Sequence, residues 1–155
     1  MDIKKEFQRV FEFVVKHGPK QERTNAEIKK FLLWAWERKH LLVLYDGFFE
    51  ARRIAAIAIC WQTDHPENKY QNLSTYDLNE GEYLSVYGVV VHPEYRDKGC
   101  LLMLLIQAMG QYPEAKKIFF NKHGRGAIGL RIMDINQFAN RLLKGAEKAN
   151  GIIRG

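Results

Sequence analysis

The 155-residue sequence predicts an α/β (α+β) sandwich, with helices arranged around one sheet. Three observations carry that prediction. Apolar residues recur at helical spacing near both ends of the chain. Runs of β-branched and aromatic residues fill the middle. The strongest of these runs, "EYLSVYGVVV", passes through a short charged turn directly into the apolar stretch "LLMLLIQAM". The length suits one domain spanning 1–155 with a single core.

The elements follow in order. Ile3, Phe7, Val10, Phe11 and Val14 mark a first helix, which Asp2 can cap and "HGP" at His17 to Pro19 should stop. Thr24 and Glu27 form a T-x-x-E capping box for a second helix through Ile28, Phe31, Leu32, Ala35 and Trp36. "HLLVLYDG" reads as a short buried strand ending in a turn at Asp46-Gly47, and "RIAAIAICWQ" as the next strand. "EYLSVYGVVV" is a long strand in which Gly88 suggests a bulge or a close backbone approach. "GCLLMLLIQAM" is apolar nearly all round and is expected to be a well-buried helix, ended by Gly110 to Pro113.

The C-terminal third admits two readings. "KKIFFN" is a strand. After it, either one helix runs from about Ala127 to Lys148, or a turn at Gly124 and Gly126 leads into a strand through Ile128, Leu130 and Ile132. Gly129 would weaken a helix interior, and Asp134 with Gln137 signals a new helix start. These favour a β-hairpin followed by a last helix carrying Ile135, Phe138, Leu142 and Leu143.

Composition bounds the function. Apolar content of 46% argues for a globular protein, and the apolar runs are too short to span a membrane. The charged N-terminal helix lacks the apolar core of a secretory signal. Cys60 and Cys100 have no C-x-x-C partner and no metal-ligand spacing, so two reduced cysteines in a cytoplasmic protein are expected, with no metal. Net charge is +6, unevenly spread. Between Gln62 and Glu82, five acids face Lys69 alone, and that stretch of about twenty residues has the length of a functional loop. From Lys116 onward nine bases face Asp134 and Glu147. An acidic loop suits a cationic partner, and a basic third suits an anionic one.

The turn "VVVHPEYRDKGCL" has its own chemistry. A strand feeding a helix places the helix's free N–H groups where they attract anions such as phosphate. Arg96 and Lys98 add charge, and Gly99 lets the backbone approach a ligand. Taken alone, this is also what an ordinary strand–helix connection with solvated charges contains.

The same segment, "VVVHPEYRDKGCLLMLL", resembles the acetyl-CoA-binding segment of the GNAT N-acetyltransferase superfamily. That family has a strand, a V-x-P-like turn, then [Q/R]-x-x-G-x-[G/A] and a helix. Arg96 and Gly99 fill the first and central places, and Leu101 departs from the usual Gly or Ala. The resemblance implies a mixed, mainly antiparallel sheet flanked by helices. It implies that the main chain of Val89, Val90 and Val91 holds the pantetheine arm. It implies that amides of Arg96, Asp97, Lys98, Gly99, Cys100 and Leu101 hold the pyrophosphate, with Asn121 bonding the pantetheine. Acetyl-CoA, or another acyl-CoA, is then the acyl donor, and a cationic amine is the acceptor.

The family's catalytic groups are less complete here. Some relatives place a glutamate on the central strand where Ser85 stands. Glu82, acting through water, is the preferred base, and Tyr87 is the candidate acid. After Asn121, "NKHGRGAIGLRIMDINQF" lacks the tyrosine that often protonates the departing thiolate. If the hairpin forms, strand replaces the usual helix over the acyl site. Two functions follow. One is an acyl-CoA-dependent N-acyltransferase. The other is a catalytically inactive binding protein of GNAT fold that uses its basic C-terminal third on nucleic acid or a protein partner.

Overall fold

A computed structural model describes residues 2–18, 23–47, 52–64, 81–96, 98–121 and 130–149. Most of the acidic loop, Asp97, and the turn carrying Gly124 and Gly126 lie outside these residues. So do His65, His123 and Ile128.

The described order is α1 (Ile3–His17), α2 (Asn25–Glu37), β1 (Leu41–Asp46), β2 (Arg53–Thr63), β3 (Tyr83–Val91), α3 (Cys100–Gln111), β4 (Lys117–Asn121), β5 (Leu130–Asp134) and α4 (Ile135–Ala149). The strands form one sheet in the order β1-β2-β3-β4-β5, and only β3 and β4 run parallel. The sheet is therefore mixed and mainly antiparallel, as expected. Parallel neighbours need a crossover, and α3 supplies it.

Local chemistry sets the helix starts. The Asp2 carboxylate accepts from the N–H groups of Lys4 and Lys5, at 3.0 and 3.4 Å. The Thr24 hydroxyl accepts from Glu27 N–H at 3.2 Å, and Glu27 accepts from Thr24 N–H at 3.3 Å, closing the capping box. The Asp134 carboxylate accepts from Asn136 and Gln137 N–H at 2.9 and 3.1 Å, which starts α4. β5 pairs antiparallel to β4 from Lys117↔Asp134 to Asn121↔Leu130, so the last helix does not run back through Leu130.

The sheet divides two apolar layers. On β2, Ile57, Ile59 and Trp61 face α1 and α2, where they meet Val10, Phe13, Phe31 and Leu32. The alternate residues Ala56, Ala58 and Cys60 face α3 and its partners Leu104, Leu105 and Ala108. One face of β2 is thus bulky and the other small.

β3 carries the irregularity that matters for the site. Ile59 pairs with Gly88 and Cys60 with Val86, so Tyr87 is an extra residue, a β-bulge. Side-chain parity shifts across it. Leu84 and Val86 belong to the α3 face before the bulge, and Val89 and Val91 after it. The expected irregularity near Gly88 is present, one residue earlier.

One expectation is corrected. α3 is not buried all round: Leu101, Met103 and Ile106 are 45%, 50% and 59% exposed. α3 has one sheet to pack on, so only the stripe containing Leu104, Leu105 and Ala108 can be covered, whatever the helix's overall hydropathy.

Candidate acyl-CoA site

The site forms where β3 and β4 part. Their ladder runs from Tyr83↔Lys117 to Val86↔Phe120. Beyond Val86, β3 continues to Val91, whereas β4 ends at Asn121. From the Tyr87 bulge onward, the β4-facing edge of β3 has no strand partner among the described residues. Backbone groups directed into that gap have no ladder partner among the described residues and can bond an extended ligand.

Two cavities meet there. The first, about 390 Å³, lies between the sheet and α3 and is lined by Val86, Gly88 and Val89 of β3, Leu105 of α3 and Phe138 of α4. No charged residue lines it. The second, about 460 Å³, lies at the N-terminus of α3 and is lined by Arg96, Gly99, Cys100 and Arg141, among others. Leu101 and Leu142 line both, so the cavities are adjacent. One end is apolar. The other has two guanidinium groups beside helix N–H donors, an arrangement suited to phosphate.

The turn is built to hold this shape. The His92 Nδ1 accepts from Glu94 N–H at 3.0 Å and caps a short 3-10 turn, Pro93–Tyr95. The Tyr95 hydroxyl donates to Asp46 at 2.5 Å, which ties the turn to the end of β1 and raises the pKa of the phenol. Gly99 caps α3 with φ +78°, in the left-handed region where glycine carries no Cβ penalty. The His17 ring lies 4.5 Å from the His92 ring. Burial, then the nearby His92, Lys16 and Arg96, lower the pKa of His17.

A third, smaller cavity lies on the opposite face of the sheet. It holds about 160 Å³ and is lined by Phe31 of α2, Ile57 of β2 and Tyr87, Gly88 and Val89 of β3. The bulge residues therefore border cavities on both faces. A Cβ added to Gly88 would meet nothing within 4 Å, so the opening at this residue is not closed by neighbouring atoms.

The structure gathers most of the expected residues and separates one. Val89, Val91, Arg96, Gly99, Cys100 and Leu101 line the two adjacent cavities, and Val90 lines the third. Lys98 is exposed, with its ammonium 5.8 Å from the Tyr95 ring centre. Asn121 ends β4 beside the gap. Tyr87 sits at the bulge, its ring 4.8 Å from Phe31. Glu82 lies five residues before the bulge, roughly 16 Å along an extended strand, with its carboxylate 3.8 Å from the Lys117 ammonium. Ser85 is fully buried, in register with Trp61 and Phe119, and its hydroxyl has no hydrogen-bond partner among the described residues.

Sequence reasoning predicted α4 but missed its part in the site. Phe138, Arg141, Leu142 and Gly145 follow helical spacing and border the cavities. A helix does cover the site, contrary to the expectation that strand replaces it; the chain reaches that helix through β5. Among the described residues no group of three or more His, Cys, Asp or Glu side chains can hold a metal ion. No helix among them is long and apolar enough to cross a membrane.

No protein-family model matches the chain, and no curated protein matches it. Solved structures do. The GphF GNAT-like decarboxylase, solved in complex with isobutyryl-CoA, aligns with a TM-score of 0.51 at 18% identity over 75% of this chain. The loading GNATL domain of CurA from Lyngbya majuscula aligns with a TM-score of 0.53 at 16% identity over 80% of it. The alignments span 60% and 63% of those two chains, so this chain matches less than two thirds of either. At these identities the likeness speaks to architecture, and with the strand order and the parted β3–β4 pair it establishes that the fold is GNAT-like.

Proposed function

We propose that the protein binds acyl-CoA and transfers the acyl group to an amine. One observation carries the reading: the cavity with Arg96 and Arg141 at the start of α3 adjoins an apolar cavity along the open edge of β3. Acyl-CoA has the same polarity sequence, from pyrophosphate through pantetheine to acyl group. The neighbour solved with isobutyryl-CoA supports it.

In this reading the free N–H groups at Gly99, Cys100 and Leu101, with Arg96 and Arg141, hold the pyrophosphate. Asp97 and Lys98 belong to the same turn. The main chain of Val89 to Val91 and Asn121 bond the pantetheine. The thioester then lies at the Tyr87 bulge, and the acceptor approaches through the cavity beside Phe31. The amine nitrogen attacks the carbonyl carbon, and a main-chain N–H at the bulge donates to the oxygen as charge builds there. The C–S bond breaks and CoA leaves as a thiolate. Tyr87 donates a proton to it, and the amine's proton leaves through water toward Glu82. The acidic segment before β3 draws in a cationic acceptor. The donor is acetyl-CoA or another acyl-CoA, within one cytoplasmic domain.

A second reading is a binding protein of the same fold without transfer activity. The observation in its favour is that, among the described residues, no carboxylate or imidazole lines any of the three cavities. Its basic C-terminal third would then serve nucleic acid or a protein partner.

Two measurements decide. A ligand that binds only the native state at one hundred times its Kd stabilises it by about 2.7 kcal/mol, so CoA and acetyl-CoA should each raise the melting temperature by several degrees. No shift with either would sink acyl-CoA binding. Thiol release from acetyl-CoA with hydroxylamine as a generic amine should exceed the uncatalysed rate, and Tyr87→Phe should reduce it. Binding without release would favour the second reading.

A further inference from the structure

The cavity beside β3 is deeper than a methyl and a carbonyl require. Its lining runs from Val86, Gly88 and Val89 on β3 past Ala58 and Cys60 on β2 to Leu42 on β1. Neighbouring strands lie about 4.8 Å apart, so this branch extends about 10 Å across the sheet from β3. Its cause is compositional. Ala58 and Cys60 on β2 and Ala108 on α3 are small where sheet and helix face one another. Protein interiors normally close such gaps to the density of organic crystals. Here a volume of about 390 Å³ stays open, about a dozen times the share of one water in the liquid.

The side chains that line it are apolar apart from the Cys60 thiol, since the Tyr87 ring packs against Phe31 and Trp61 on the other face of the sheet. Burial pushes that thiol up to about 12, so Cys60 stays protonated and acts as a small apolar wall. A space of this kind suits an apolar group tethered from outside. The cavity reaches the bulge and, at Leu101 and Leu142, adjoins the basic end.

We propose that the branch bounded by Leu42, Ala58, Cys60 and Ala108 receives a straight-chain acyl tail longer than acetyl, presented as a CoA thioester. The inference rests on the acyl-CoA reading above and adds the class of acyl group. Each methylene that leaves water for this space should tighten binding about fourfold.

The test measures affinities of the full chain for CoA, acetyl-CoA, butyryl-CoA and hexanoyl-CoA by calorimetric titration. Affinity should rise along the acyl series, with hexanoyl-CoA bound at least tenfold more tightly than acetyl-CoA. Ala58→Leu and Cys60→Leu each fill the branch, and near-ultraviolet circular dichroism reports whether each variant folds. In a folded variant the hexanoyl-to-acetyl affinity ratio should fall toward one; the two substitutions are independent, so either suffices. If CoA binds but all thioesters bind alike, this inference is overturned and the acyl-CoA reading stands. A ratio that survives in the folded variants would place the tail elsewhere and overturn it as well. If neither CoA nor any thioester binds, both fall together.

Discussion

Arg96 and Arg141 line one cavity from two different elements, the turn after β3 and the helix α4. Two guanidinium groups at the mouth of a helix N-terminus favour a divalent anion over a single charge. Arg141→Ala should weaken CoA binding about tenfold, the loss expected for one charge-assisted hydrogen bond. Arg141→Lys should recover part of it, because charge is kept while the fork geometry is lost. Calorimetric titration of CoA measures both, and unchanged affinity in Arg141→Ala would remove α4 from the anion site.

Gly99 separates folding from binding. Its φ of +78° costs a residue with a side chain about 1–2 kcal/mol, and at this size each kcal/mol lowers the melting temperature about 2–4 °C. Gly99→Ala should therefore melt a few degrees lower and still bind CoA. Gly99→Glu should show the same loss of stability and no CoA binding, because its carboxylate meets the pyrophosphate. Undiminished affinity in folded Gly99→Glu would be incompatible with a pyrophosphate at this turn.

His40 should make stability pH-dependent. It is buried at the start of β1, its ring 5.1 Å from Trp34 and 5.7 Å from Trp61. Burial, then the nearby Arg38 charge, lower its pKa from 6.5 to about 4. The folded state thus binds this proton less readily than the unfolded state. Its stabilising contribution is complete above pH 6.5 and is lost as pH falls toward 4, at up to about 1.4 kcal/mol per pH unit for one proton. Urea melts at pH 7, 6 and 5 should show the decline, and His40→Leu should lessen it. An equal decline in both proteins would assign the effect to other groups.

Glu6 is a buried carboxylate on α1 and is held from two sides. Tyr45 of β1 donates its hydroxyl to one oxygen, and Arg9 donates to the other at 3.0 Å. Burial and then the bond to Glu6 push the Tyr45 phenol up to about 12. Tyr45→Phe leaves one carboxylate oxygen without this donor and should cost roughly 1.5–3 kcal/mol. Glu6→Gln should cost less in the Tyr45→Phe background than alone, since the two share one bond. Additive losses in a double-mutant cycle would show that the bond contributes nothing to stability.

Much of the fold was legible because its signals are local. Asp2, Thr24 with Glu27, and Asp134 each sit within three residues of the N–H groups they cap, so the sequence alone places those helix starts. The hairpin of β4 and β5 was legible for the same reason, through Gly129 and Asp134. The buried stripe of α3 was not. A helix apolar on every side has no phase, and only the sheet decides that Leu104 is covered while Met103 and Ile106 face solvent. The anion end of the site was half legible. Arg96 and Gly99 stand together in one turn, whereas Arg141 joins them only because β5 returns the chain to the other side of the gap. Tyr87 was correctly placed on the central strand, but its being the extra residue depends on register with β2, which no single strand encodes.

The small residues on the inner face of β2 also bear on the protein's response to pressure. A poorly filled apolar volume exists only in the folded chain and disappears on unfolding, so pressure favours the unfolded state in proportion to it, with a typical volume change of about −20 to −100 mL/mol. Any part of the space beside Ala58 and Cys60 that water does not fill adds to that change. Whatever fills the space would stiffen the fold against pressure by the volume it occupies, which makes high-pressure unfolding a gauge of occupancy that needs no chemical turnover.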